Sequence, residues 1–249
     1  MSAVDAVARA LAAVDLHESR VHAWAYLDPD RARAEARIVD GRPRGPLSGV
    51  TVGVKDMFDT VDQPTSFGSP LYGENRPSAD AAAVALLREA GAVCLGKTVT
   101  AEFACFHPGP TTNPHRPTHT PGGSSMGSAA AVAAGMADVG LGTQTAASIT
   151  RPASFCGIYG FKPSFGTVSV AGLKLVAPSL DTVGWLSRSP GLLERVWRCL
   201  TGRLPDARPD RPPRVGLVLT DRWEACSSDT RQAVESTVDR ARSLGATVL

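Results

Sequence analysis

Histidine is scarce in this chain and absent from its second half: the five lie at positions 17, 22, 107, 115 and 119 of 249 residues. Any device needing a histidine beyond residue 119 is excluded within the chain. Lysine is scarcer still, with Lys55, Lys97, Lys162 and Lys174 against 22 arginines. The arginine excess reads first as compositional bias. It matters to chemistry because arginine stays protonated in proteins, while a buried lysine can lose its proton. Cysteine numbers five, at 94, 105, 156, 199 and 226, with no Cys-x-x-Cys spacing. That argues against a disulfide framework and fits ordinary thiols in a reducing cytoplasm. No run of 18 apolar residues occurs, and Asp5, Arg9 and Asp15 interrupt the apolar N-terminal pattern. Neither a membrane span nor a signal-peptide core is read, so a cytoplasmic protein is expected. The net charge of +2 argues against a dedicated nucleic-acid or membrane surface.

What is present is a chain with 43% hydrophobic residues, enough for a substantial core. Val4, Val7, Leu11 and Val14 recur at helical spacing over 3–16, and 28–38 reads as a second, charged helix. A turn-rich connection at 42–49 precedes VTVGV (50–54), a short buried strand ending at Lys55 and Asp56. Over 78–98 a helix capped by Ser78 or Asp80 runs from Ala81 to Ala90, closes at Gly91 and leads into the strand AVCLG. Helix then strand predicts an α/β layer. The proline-rich stretch 104–123 reads as a loop, 128–137 as a helix and 139–145 as strand or loop. Residues 201–214 resemble a linker before a β-α-β pattern over 215–249, with its helix at 230–244. Gly245 closes that helix, ATVL begins a strand and the sequence stops, which points to a missing C-terminal portion or a completing partner.

The chemistry concentrates in TPGGSSMGSAAAVAAG (120–135). Gly123-Ser124-Ser125-Met126-Gly127 fits the G-x-S-x-G nucleophile elbow, with Ser125 as nucleophile. That elbow needs its histidine downstream, and none follows. A P-loop needs a Gly-Lys-Ser/Thr ending, which is also missing. His115 and His119 stand four apart, but Pro114 and Pro117 disrupt the helix that would align them on a metal. A serine still needs a base, and a desolvated lysine can serve. Lys55, at the end of an apolar strand, has two readings: a buried amine, or a side chain leaving the strand end for water. A second polar cluster, GTQTAASITRPASFCGIYGFKP (142–163), carries Ser148 behind Thr145, Ala146 and Ala147. Small side chains there let backbone N–H groups approach a ligand as an oxyanion hole. The other reading is a tight turn, with Arg151 paired to a nearby carboxylate.

Four segments in order resemble the amidase signature family, marked by a Ser-cisSer-Lys triad. They are GVTVGVKD (49–56), TPGGSSMGSAAAVAAG (120–135), GTQTAASITRPASFCGIYGFKPSFG (142–166) and SLDTVGWLSRS (179–189). The resemblance implies an α/β fold with a mixed central sheet flanked by helices. It implies one domain over 1–249, with an N-terminal helical segment at 1–45 and a catalytic core at 46–190. Ser148 becomes the acyl-accepting nucleophile, Ser124 the bridging serine after a cis peptide bond, and Lys55 the base. Thr145, Ala146, Ala147 and Ser148 would form the oxyanion hole, with Ser125, Met126 and Gln144 as weaker substrate contacts. The implied activity is hydrolysis of a small carboxylic amide, without metal or organic cofactor and without nucleic-acid or membrane partner.

Departures from the family pattern are visible. Met126 occupies a position usually small, Ala147 replaces a glycine, and Gln144 replaces an acid common in relatives. If the backbone at 147 needs φ > 0, alanine is strained there. The chain is also short for the family, as though truncated at its C-terminus. A sheet cut in this way would expose apolar surface and edges, and self-association as a homo-oligomer is one way to cover them. Two other functions fit the same residues: an A-type component of an amidotransferase, releasing ammonia for tRNA-linked transamidation, and a non-catalytic remnant or interaction protein.

Overall fold

The computed structural model describes residues 1–204 and 211–249. In chain order its elements are α1 (Ala3–Val21), β1 (Trp24–Leu27), α2 (Pro29–Asp40), β2 (Thr51–Lys55), α3 (Ala82–Glu89), β3 (Val93–Thr98), α4 (Met126–Ala133) and β4 (Val139–Gln144). They continue with α5 (Thr150–Phe155), β5 (Tyr159–Phe161), β6 (Thr182–Ser187), α6 (Pro190–Thr201), β7 (Arg214–Val215), α7 (Ser228–Ser243) and β8 (Thr247–Val248).

Local chemistry sets the helix ends. Ser2 and Asp5 form a capping box at the start of α1, and His22 closes it in the left-handed region, so the helix runs past the expected 3–16. The Asp28 carboxylate caps α2 and Pro29 opens it. Asp40, at the other end of α2, accepts from the N–H groups of Ala3 and Val4 at 2.7 and 3.0 Å. The first two helices are thereby tied to each other, with the buried face of α1 on α2 and β3. The expected cap on α3 is corrected: Ala81 is the N-cap and makes no side-chain bond. Asp80 instead accepts from the Val61 N–H. The Ala-rich helix α4 starts two residues before the expected 128 and has ended by Gly135, whose φ of 78° breaks it.

A six-stranded mixed sheet in the order β1-β3-β2-β4-β6-β5 organises the first unit. The central strands β2, β3 and β4 run parallel, while β1, β6 and β5 join antiparallel. Every residue of β2, β3, β4 and β6 is buried, as expected for strands covered on both faces. One face packs Val52, Val54, Leu141 and Trp185 against α3 and α6. On the other, Val93 and Leu95 meet α1 and α2, and Leu186 meets α4 and α5. Edge strand β5 is open, with Tyr159 53% exposed and Phe161 37%. This is the mixed, helix-flanked α/β sheet expected from the sequence.

The chain has two compact units, Met1–Leu204 and Pro205–Leu249. Residues 1–45 belong to the first unit, and the buried faces of α1 and α2 join its core. In the second, β7 and β8 pair in parallel around α7, so the β-α-β pattern is present. The strand expected at 215–219 is corrected: the ladder has two residue pairs, Arg214 with Thr247 and Val215 with Val248, and the Leu217 N–H bonds the Leu249 carbonyl beyond them. The linker-like 201–214 lies partly outside the described residues.

Glycines decide how closely α4 approaches the sheet. A Cβ at Gly140 of β4 would stand 2.8 Å from the Ser128 carbonyl oxygen, and one at Gly142 would stand 2.9 Å from Ser125 Oγ. Backbone cannot yield as a side chain can. Gly140→Ala is therefore expected to destabilise the fold by about 1–3 kcal/mol, read as a lower midpoint in urea; an unchanged midpoint would contradict this packing.

Candidate active site

Lys55 ends β2 at the carboxyl edge of the parallel strands, where open α/β sheets place their ligands. Val52 and Val54 take the opposite face, so the two-residue period turns Lys55 toward α4. The side chain is fully buried, as the amine reading requires, and it does not leave for water. Its Nζ donates to Ser124 Oγ at 2.9 Å and to Thr143 Oγ1 at 2.7 Å. Neither partner is a carboxylate. Burial pulls the amine down from its ordinary value to about 7, and the charge of Asp181 works against that pull.

Ser124 follows a cis peptide bond from Gly123. Its hydroxyl lines a cavity of ≈ 210 Å³, with Met126, Ala101, Phe106, Phe155 and Arg151 among the walls. Met126 packs with Val99 and Ala101 and forms part of that wall, as a substrate-lining residue would. Ser125 is different. It is fully buried and its hydroxyl donates to the Thr143 carbonyl at 3.3 Å, which ties the serine loop to β4.

The segment after β4 carries Ser148. The Ser148 carbonyl accepts from the Ser125 N–H at 3.3 Å, which sets it beside the serine loop. Its hydroxyl makes no hydrogen bond among the described residues, so the contact with Ser124 that a relay needs is not closed here. Gln144 also makes internal bonds. It is 5% exposed; its Oε1 accepts from the N–H groups of Ile149 and Thr150, and its Nε2 donates to the Ala146 carbonyl. The four N–H groups of Thr145, Ala146, Ala147 and Ser148 donate no hydrogen bond among the described residues. Neither Ala146 nor Ala147 has a positive φ, so alanine at 147 carries no left-handed strain.

Two further residues escaped the sequence reading. Asp181 is buried, and its carboxylate accepts from Thr145 Oγ1 and from the N–H groups of Val176 and Ala177. It therefore holds the first residue of the Thr145–Ser148 turn. Lys97 is as deeply buried as Lys55 but has a carboxylate, Asp56, at 3.1 Å. Its amine also donates to the Phe58 and Pro64 carbonyls and to Thr65 Oγ1. Lys97 thus pins the loop after β2. Arg151 pairs with no carboxylate among the described residues; it donates from Nε and Nη2 to the Gly123 carbonyl at 3.0 and 2.7 Å. His115 bonds the Cys156 carbonyl, and no cluster of three metal-ligating side chains occurs among the described residues. No described helix is long and apolar enough to cross a membrane.

Fold and site together define an α/β protein with a lysine–serine centre at the carboxyl edge of a mixed sheet. The family model described as Amidase matches residues 5–249, and the chain belongs to that family, the amidase signature family. It is 37% identical over 262 residues to a protein of Salinibacter ruber named as the A component of glutamyl-tRNA(Gln) amidotransferase, covering 94% of this chain and 51% of the relative. Among solved structures it resembles a peptide amidase from Stenotrophomonas maltophilia, with TM-score 0.89 and 33% identity, over 100% of this chain and 58% of that one. A structure described as an amidase matches with TM-score 0.89 and 35% identity, over 100% of this chain and 59% of that one. The chain spans about half the length of the curated relatives it matches.

The Lys55 amine is expected to titrate near pH 7, followed by its side-chain NMR shift and assigned by loss of the signal in Lys55→Met. Asp181 raises that midpoint, so Asp181→Asn should move it to lower pH. A Lys55 midpoint near the ordinary lysine value of about 10.4 would refute the desolvated amine.

Proposed function

We propose that this chain carries the acyl-transfer centre of an amidase, with Ser148 as nucleophile, Ser124 as bridge and Lys55 as base. The observation that carries the reading is the uncompensated Lys55 amine hydrogen-bonded to Ser124, with its pKa brought to about 7 by burial. A base poised near neutral pH is present in its neutral form without strong alkali. Ser148 Oγ attacks the amide carbon as its proton passes to Ser124 and the Ser124 proton passes to Lys55. The relay needs Ser148 Oγ to come within hydrogen-bond distance of Ser124 Oγ. The C–O bond forms, the C–N bond breaks, and the proton returns through Ser124 to the departing nitrogen. Water then cleaves the acyl-serine by the same route reversed, yielding a carboxylic acid and free Ser148. The unengaged N–H groups of Thr145–Ser148 support a role as oxyanion donors.

A second reading is supported by the curated relatives, which are named as components of an amidotransferase. The same centre would then release ammonia from an amide donor for use elsewhere, in company with other proteins. The two readings share the acyl-serine and differ in the fate of the nitrogen. Ammonia release from simple amides by the chain alone favours the hydrolase; release only with added partner proteins favours the transferase.

A fluorophosphonate probe is expected to label Ser148 and to fail with Ser148→Ala. Ser148→Ala, Ser124→Ala and Lys55→Ala should each lower kcat/KM by about 10³-fold or more, and the wild-type profile should fall below about pH 7 as Lys55 takes a proton. Hydrolysis that survives Lys55→Ala and Ser124→Ala would sink the relay, and a protein that neither labels nor releases ammonia would be the non-catalytic remnant.

A further inference from the structure

The relay creates a positive charge inside the fold. When Lys55 takes the Ser124 proton it becomes a buried ammonium whose bonded partners, Ser124 and Thr143, are both hydroxyls. A buried charge is costly unless an opposite charge lies within reach. The charged groups around this one are few. Asp56 follows Lys55 in the chain but is engaged with Lys97 of β3 at 3.1 Å. The serine loop over 120–127 brings no titratable side chain. Arg151 of α5 is fixed on the Gly123 carbonyl. That leaves Asp181, the residue before β6.

Sheet register sets its place. Thr143 of β4 stands opposite Val183 of β6, and Gln144 opposite Thr182. Asp181 is thus the diagonal neighbour of Thr143, roughly 7–8 Å from it. Lys55 Nζ is 2.7 Å from Thr143 Oγ1, so Thr143 stands between amine and carboxylate. Asp181 is buried, and its partners are Thr145 Oγ1 and the N–H groups of Val176 and Ala177; no basic side chain pairs with it among the described residues. We propose that Asp181 is the counter-charge of Lys55 across Thr143, stabilising the ammonium that forms as Ser148 attacks while its hydrogen bonds hold the Thr145–Ser148 turn. This rests on the amidase reading of Ser148. The ammonium exists only between two events: the arrival of the Ser148 proton through Ser124, and its return to the departing nitrogen as the C–N bond breaks. A carboxylate in contact would keep the proton on Lys55 at rest, whereas one set further off favours the charge without fixing it. The pull of Asp181 on the Lys55 amine, opposite to that of burial, has the sign this requires. Asp181 touches neither substrate nor reacting atoms and is a positioning residue.

Two isosteric variants separate the charge from the tie. Asp181→Asn removes the charge and keeps the bonds: the amide oxygen accepts from Val176 and Ala177, and the NH2 donates to the Thr145 hydroxyl, which takes either role. Thr145→Val cuts the tie and keeps the charge. The kcat/KM for butyramide is followed against pH in each. In Asp181→Asn the acid limb is expected to move to lower pH and the plateau to fall by about tenfold, as the weaker base demands. In Thr145→Val the rate should fall with the limb left near pH 7. An acid limb unmoved in Asp181→Asn, or moved equally in Thr145→Val, would overturn the proposal. A measurement on the unaltered chain covers variants that fail to fold. The carboxyl-carbon NMR shift of Asp181, assigned through its bonded neighbours, should show an inflection at the Lys55 midpoint; its absence would also overturn the proposal. A wild-type chain that hydrolyses no amide removes the amidase reading, and the inflection then supports or overturns the Lys55–Asp181 coupling by itself.

Discussion

The site depends on an ammonium group taken out of water without a carboxylate to receive it. Lys55 has two hydroxyl partners, and the nearest charge that counts is Asp181, which is engaged with Thr145 and two backbone N–H groups. Hydroxyls can accept from an ammonium or donate to an amine, so they serve either protonation state. A carboxylate would not; it would hold the proton on nitrogen. Lys97 shows the alternative within the same sheet. It is equally buried, but Asp56 and three further oxygens surround its amine. Asp56 follows Lys55 in sequence yet pairs with Lys97. That choice leaves one lysine as a fixed tie for the loop after β2 and the other without an opposing charge in contact.

Sheet geometry makes the arrangement possible. Lys55 and Thr143 stand near the carboxyl ends of adjacent parallel strands, β2 and β4. The serine loop must reach them from α4, which demands a close approach of helix to sheet. Gly140 and Gly142 lie on that face of β4, under Ser128 and Ser125. Leu141 between them points into the opposite core. Ser125 and Ser128 then bond back to the carbonyls of Thr143 and Leu141, replacing the apolar contacts that larger side chains would have made. The Gly-apolar alternation of β4 and the small residues of α4 are two sides of one packing requirement.

Much of this was legible in the sequence, for identifiable reasons. The continuous apolar runs of β2 and β3 marked buried strands, and the serine-rich segments pointed to the residues that the fold gathers around Lys55. Edge and antiparallel elements were less legible. The strand β1 has four residues with no clean alternation, and it is held by pairing with β3 and not by its own pattern. The roles of Ser125 and Gln144 could not be read, because a polar residue beside a catalytic segment looks the same whether it meets substrate or backbone. Only the count of backbone donors separates them: the Gln144 side chain takes the N–H groups of Ile149 and Thr150 and leaves the four before them unengaged. Lys97 carried a signal that was available, since it ends an apolar strand just as Lys55 does. What no sequence pattern reveals is which of the two lysines Asp56 will face.

The groups assigned to acyl transfer all fall within Met1–Leu204, on β2, the loop into α4, and the turn between β4 and α5. Making an acyl-serine needs a base, a relay and donors for the oxyanion, and each is a matter of ångström-scale placement on a rigid sheet. Choosing where the nitrogen goes is a different problem, of access and of partners around the departing group. The first requirement explains why a chain spanning half of its relatives can retain a recognisable centre. It also explains why proteins named as hydrolases and as amidotransferases share the same fold over this region.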